Sequence, residues 1–121
     1  MNSSLRNLII VVIAMIAGGL TITCVEYLIA SIEWQNDLMH PGKLAPVVVA
    51  HALGALVSGI VIGKFAKLDA YFYTLIAGMI WTLVGIAQII TIPHPIWFSI
   101  ADTCVYLPMT ILGAKLASKL S

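Results

Sequence analysis

The sequence predicts an all-α integral membrane protein, a four-helix transmembrane bundle with both termini in the cytoplasm. Three observations predict it: an apolar excess, four long apolar runs, and a lopsided placement of lysine and arginine. Apolar residues make up 61% of the chain and charged residues 9%, against roughly 45–50% and about 25% in soluble domains. The 121 residues suffice for one domain. Six basic and five acidic side chains are too few to coat such a domain in water. A net charge of +1 provides no basic stripe for nucleic acid.

The first apolar run covers residues 5–32. Arg6 followed by Leu8-Ile9-Ile10-Val11-Val12-Ile13 has the outline of a signal peptide. The apolar pattern continues past Ala17 with no small-x-small cleavage site, so the run reads as a span. About 20 residues cross a hydrocarbon core of ~30 Å, which leaves this run enough length to tilt or protrude. Gly18-Gly19 either admits a neighbouring helix or bends this one. A polar stretch, 33–43, follows, with Pro41-Gly42 as its turn. The second span, 45–63, has Pro46 in its first turn, where a missing N–H costs nothing. It carries Gly59-x-x-x-Gly63, a spacing associated with close helix packing.

Residues 64–69 form a short charged loop. Tyr71, Phe72 and Tyr73 then mark the membrane interface at the start of the third span, 70–91. Pro93 and Pro95 cannot share one helix, so the chain breaks at Ile92-Pro93-His94-Pro95. Trp97 and Phe98 re-enter the interface, and the fourth span covers 96–117. With four spans, both termini and the middle loop share one side. Arg6, Lys64, Lys67, Lys115 and Lys119 fall on that side and only Lys43 on the other, which places that side in the cytoplasm.

Each span carries one polar residue in its outer half: Glu26, His51, Gln88 and Asp102. At ~1.5 Å per residue they lie at similar depth. Their helical faces read Gly19, Thr23, Glu26, Ala30, Glu33 on span one and His51, Gly54, Ala55, Ser58 on span two. Span three gives Gly78, Thr82, Gly85, Gln88, and span four gives Asp102, Tyr106, Met109, Gly113. Polar side chains without water turn to the bundle interior. An Asp near mid-helix costs roughly 2.5–3.5 kcal/mol on insertion scales, so these acids need partners or protons. His51 is the partner of choice, and Glu26, His51 and Asp102 are expected to titrate as a unit. Pro108 frees the carbonyl of Cys104 near Asp102 as a further acceptor.

Three readings of the cluster compete. The first is a hydrogen-bonded lock that fixes helix register. The second is a ligand- and proton-binding site built from Glu26, His51, Gln88, Asp102 and Tyr106, with proton-coupled transport as its use. The third is a metal site with Glu26, His51 and Asp102 as ligands, although neither HExxH nor CxxC spacing occurs. A weaker metal candidate groups Glu33, Asp37, His40 and His94 in the outer loops, where solvated side chains are the default. Cys24 and Cys104 lie inside apolar runs and read most simply as small buried side chains, with a disulfide or a ligand role as alternatives. Trp81, near mid-span, either packs in the bundle or floors a pocket beneath the cluster. Spans two and four end similarly, with Gly63 aligned on Gly113, a short echo of a duplicated hairpin.

The turn Ile92-Pro93-His94-Pro95-Ile96-Trp97-Phe98, followed by Leu107-Pro108 and Leu112-Gly113, resembles a group of small bacterial four-span membrane proteins. That resemblance covers the third and fourth spans best. It implies the fold and a multi-pass protein of the bacterial inner membrane, and it implies no activity. In length, span number and a membrane-embedded Glu in span one, the chain is also similar to small multidrug-resistance transporters. It departs from them in placing Glu26 near the span's end and in adding His51 and Asp102. Four short spans enclose little interior, so a homo-oligomer is expected to shelter the polar stripes. An accessory subunit of a larger membrane complex is the alternative. No Ser–His–Asp or nucleotide-binding pattern supports an enzyme, and no motif names a cofactor.

Overall fold

The computed structural model describes residues 2–30, 41–66 and 68–120. Four helices follow one another: α1 (Ser3–Ala30), α2 (Pro41–Phe65), α3 (Ala70–Thr91) and α4 (Ile96–Leu120). No strand occurs among the described residues. All four helices are long and apolar enough to cross a membrane, and a helix satisfies its own backbone where water is absent. The outer surface is aliphatic along its length, with Val12, Ile16, Leu20, Leu83 and Ile90 exposed.

Local chemistry sets the helix ends. Helix α2 starts earlier than the Pro41-Gly42 turn predicts. Pro41 itself is its first residue, a position where no N–H is needed. Pro46 therefore lies inside the helix and withholds one backbone bond. Helix α3 stops where expected. Ile92, ahead of Pro93, is extended at φ −125 and ψ 126, as a residue before proline prefers. Its N–H closes on the Gln88 carbonyl at 2.9 Å. Between α2 and α3, Leu68 and Asp69 adopt left-handed φ values of 52 and 55. The amide of Asn7, 2% exposed, donates to the Leu68 carbonyl at 3.0 Å and ties this loop to α1.

Helix α2 is the hub. It packs against α1, α3 and α4, while α3 also touches α1 and α4. Helices α1 and α4 do not pack against each other among the described residues. The circuit is therefore α1–α2–α4–α3, with α2 and α3 meeting across the short diagonal. Helices α2 and α4 run parallel in one register from end to end. His51 faces Asp102, 51 residues later. The same offset sets Gly59 against Thr110 and Gly63 against Ala114.

Glycine makes that pairing close. A Cβ on Gly59 would stand 2.9 Å from the Ala114 nitrogen, and one on Gly63 2.8 Å from the Ala114 Cα. In return, Gly113 rests on the Leu56 carbonyl. Between α1 and α2, Gly18 is the residue that admits a neighbour. A Cβ there would lie 2.6 Å from the Gly54 carbonyl oxygen, whereas one on Gly19 would meet only Trp81 at 3.9 Å. Cys24 and Cys104 are free and exposed, contrary to the expectation of burial. Both fall off the packed faces of their helices.

Candidate functional site

The bundle has two unlike halves. Toward the termini, Ile10, Val11, Ala14, Ile62, Tyr73 and Ala77 form an apolar core. Toward the α3–α4 turn, polar side chains replace it. His51 is 4% exposed and Asp102 1%, both inside apolar spans. The Nδ1 of His51 lies 2.5 Å from Asp102 Oδ1, and its Nε2 lies 3.0 Å from Glu26 Oε1. Tyr106 follows Asp102 by one turn, and helical side chains lean back toward the N-terminus. Its hydroxyl donates to Asp102 Oδ2 at 3.2 Å and sits 3.0 Å from His51 Nδ1. Asp102 takes its donors from these side chains, with both of its oxygens engaged.

Rings extend the cluster toward mid-membrane. Tyr106 stacks on His51 at 5.7 Å between centroids and 24° between planes. Trp81 also stacks on Tyr106, at 6.1 Å and 9°. The indole N–H of Trp81 donates to Ser58 Oγ at 3.0 Å, and Ser58 donates to the Ala14 carbonyl at 2.7 Å. Trp81 therefore floors the cluster, which explains a tryptophan so far from the interface belts. The connected groups draw on all four helices. Among the described residues His51 alone bonds to both Glu26 and Asp102, and so links α1 to α4, which there do not pack together.

Of the residues that sequence reasoning placed in the site, the structure brings together Glu26, His51, Asp102 and Tyr106. It does not bring in Gln88. That side chain is exposed in the last turn of α3, past Gly85, the last buried residue of the helix. His94 is also apart: its ring stacks on Phe98 at 4.6 Å and 19°, and its Nδ1 is buried without a hydrogen-bond partner. His40, with Glu33 and Asp37, lies outside the described residues. The α1 stripe is displaced by one position, since Gly18 is buried while Thr23 is exposed. One contributor escaped the site prediction, the Ser58–Trp81 bond, and the buried Asn7 at the far end of the bundle was also missed. A polar residue facing a helix stripe, and one in the first apolar turn, were the signals for them.

The metal reading meets a geometric obstacle. Among the described residues, no group of three His, Cys, Asp or Glu is arranged to hold a metal ion. Glu26 and Asp102 bond opposite ring nitrogens of His51, so the imidazole stands between them. No ring nitrogen is left to converge with both carboxylates on one ion.

The same arrangement suits protons. Each nitrogen–oxygen contact needs one hydrogen, carried by the ring nitrogen or by the carboxyl group that faces it, so two hydrogens hold both contacts. That state carries a net charge of −1, and one further proton makes it neutral. No lysine or arginine pairs with either acid among the described residues. Asp102 is sealed, whereas the Glu26 side chain is 42% exposed and bonds through Oε1 only. Of the two acids, Glu26 is thus the one open to the surroundings. No family model matches the chain, no curated protein matches it, and no solved structure matches its fold.

Proposed function

We propose that Glu26, His51, Asp102 and Tyr106 form a proton-linked binding site for a small cation or amphipathic ligand, and that the protein works in proton-coupled transport. The observation that supports it is the single buried imidazole bonded by both nitrogens to carboxyl groups, one sealed at 1% exposure and one open at 42%. Ionisable groups inside spans are costly and mark functional sites by default. A site with two acids and one imidazole complements a cation, and exchanging that cation for a proton keeps its charge constant. The lysine and arginine distribution puts the termini in the cytoplasm, so the site opens outward. The resemblance to small bacterial four-span proteins supports a location in the bacterial inner membrane, and the small interior of four short spans favours a homo-oligomer that shelters the half-exposed Glu26.

A second reading is favoured by the hydrogen-bonded ladder through all four helices: a structural lock in an accessory subunit of a larger membrane complex, with no substrate of its own. Infrared difference spectroscopy of the reconstituted protein separates the two. On adding tetraphenylphosphonium, a lipophilic cation, a binding site changes a carboxyl stretching band. Glu26→Gln abolishes the change and leaves the melting temperature within a few degrees. A lock gives no cation-dependent band and loses stability in both Glu26→Gln and Asp102→Asn. No cation-dependent band in the wild-type protein, together with full stability in both variants, refutes both readings.

A further inference from the structure

At the termini end, opposite the polar cluster, α1 and α2 enclose a groove of about 510 Å³ lined by Arg6, Ile9, Ile10, Ile13, Val61 and Phe65. Its wall is aliphatic and aromatic apart from one guanidinium. Ile9, Ile13 and Phe65 are exposed, so the groove opens sideways, toward hydrocarbon if the helices span a bilayer. A second cation is close to the lining: Lys64 Nζ lies 5.6 Å from the centroid of the Phe65 ring. Among the described residues neither Arg6 nor Lys64 pairs with a carboxylate, and the nearby loop acid Asp69 bonds to neither.

We propose that this groove binds an anionic phospholipid of the surrounding bilayer, with one acyl chain along Ile9, Ile13 and Val61 and the phosphate held between Arg6 and Lys64. An apolar trough capped by unpaired cations fits a ligand whose hydrocarbon and anionic parts are joined at the interface. Arginine presents a fork to phosphate oxygens, and lysine adds a point charge. A second copy of this chain is a poorer occupant. A symmetric contact here would set a second Arg6 and Lys64 against the first pair, with Asp69 the one acid near in sequence and bonded to neither cation among the described residues. The lateral opening admits a lipid from within the bilayer while its other chain stays among its neighbours. The inference is independent of the proton-linked site, which lies roughly 30 Å away along α1 at ~1.5 Å per residue.

Native mass spectrometry of protein incubated with equimolar phosphatidylglycerol and phosphatidylcholine of matched acyl chains tests this. The wild-type chain retains phosphatidylglycerol in roughly tenfold excess, a difference of about 1.4 kcal/mol. The double variant Arg6→Gln, Lys64→Gln brings the two lipids to near parity, and Arg6→Lys with Lys64→Arg keeps most of the preference. Ile13→Trp, which fills the trough without touching a charge, lowers adducts of both lipids. Equal retention by the wild-type chain overturns the proposal. So does a phosphatidylglycerol preference that survives loss of both cations, or an unchanged adduct level in Ile13→Trp. Circular dichroism and melting temperature confirm that each variant compared is folded.

Discussion

Gly85→Ala tests whether the ring column is as tight as its geometry requires. An added methyl would lie 2.6 Å from Tyr106 Cε2 and 3.3 Å from its Cζ, where carbon atoms prefer about 3.5–4.0 Å. Tyr106 has little room to retreat, being 1% exposed and stacked with both His51 and Trp81. A ring displacement of close to 1 Å stretches the 3.2 Å bond to Asp102 and the 3.0 Å contact to His51 beyond useful range. Overpacking costs roughly 1–3 kcal/mol, and a weakened polar contact about 0.6 kcal/mol more in a membrane bundle. Exchanging Gly for Ala returns at most about 1 kcal/mol of helix propensity. The net expectation is destabilisation of about 1–2 kcal/mol. Gly19→Ala is the internal control, because a methyl there meets only Trp81 at 3.9 Å and should leave stability unchanged or slightly raised. Both variants are compared by reversible unfolding in mixed micelles, with Tyr106→Phe to isolate the hydroxyl. If Gly85→Ala proves as stable as Gly19→Ala, the column is loose and the packing argument for Tyr106 fails.

Ser58→Ala leaves the Trp81 indole N–H without its acceptor, and a double-mutant cycle with Trp81→Phe should return a coupling of about 0.6–1.7 kcal/mol; zero coupling removes the ladder as a source of stability. Gly59→Val drives a side chain against the Ala114 backbone, which a rotamer change cannot relieve. It should cost more than about 2 kcal/mol and loosen helix α4, read as faster amide exchange around Thr110. Leu68→Gly relieves a left-handed φ of 52 that a leucine adopts at a cost of roughly 1 kcal/mol. It should raise the melting temperature, and a fall would show that the leucine side chain contributes more than its backbone loses.

The helix-breaking residues made much of the fold legible. Pro93 and Pro95 fixed the end of α3 and the start of α4, because each proline turns the residue before it away from helical geometry, a steric effect that acts locally. Pro41 and Pro46 were harder, since either suits a first helical turn, and only the folded chain shows that the earlier one is used. In the site, Glu26, His51 and Asp102 could be matched because isolated ionisable groups in apolar spans have few ways to be satisfied. Gln88 was misplaced because a neutral amide carries no such compulsion and rests at the exposed end of α3. The exposed cysteines show the same limit: a small side chain fits a core or a lipid face equally well, and composition does not choose between them. The constant register of α2 on α4 depends on which glycines meet which carbonyls, a relation between distant segments that no local pattern contains.

The imidazole bridge between α1 and α4 bears on how the protein is made. Synthesis delivers Glu26 first, with His51 following 25 residues later and Asp102 a further 51 residues on. An acid emerging alone into hydrocarbon is costly, so α1 gains from entering the bilayer as a hairpin with α2, its carboxyl already matched. That hairpin then holds an imidazole with one nitrogen still unmatched, turned to the side where α4 will arrive. Asp102, the most deeply enclosed acid, is the last to be made and enters against a partner already in place.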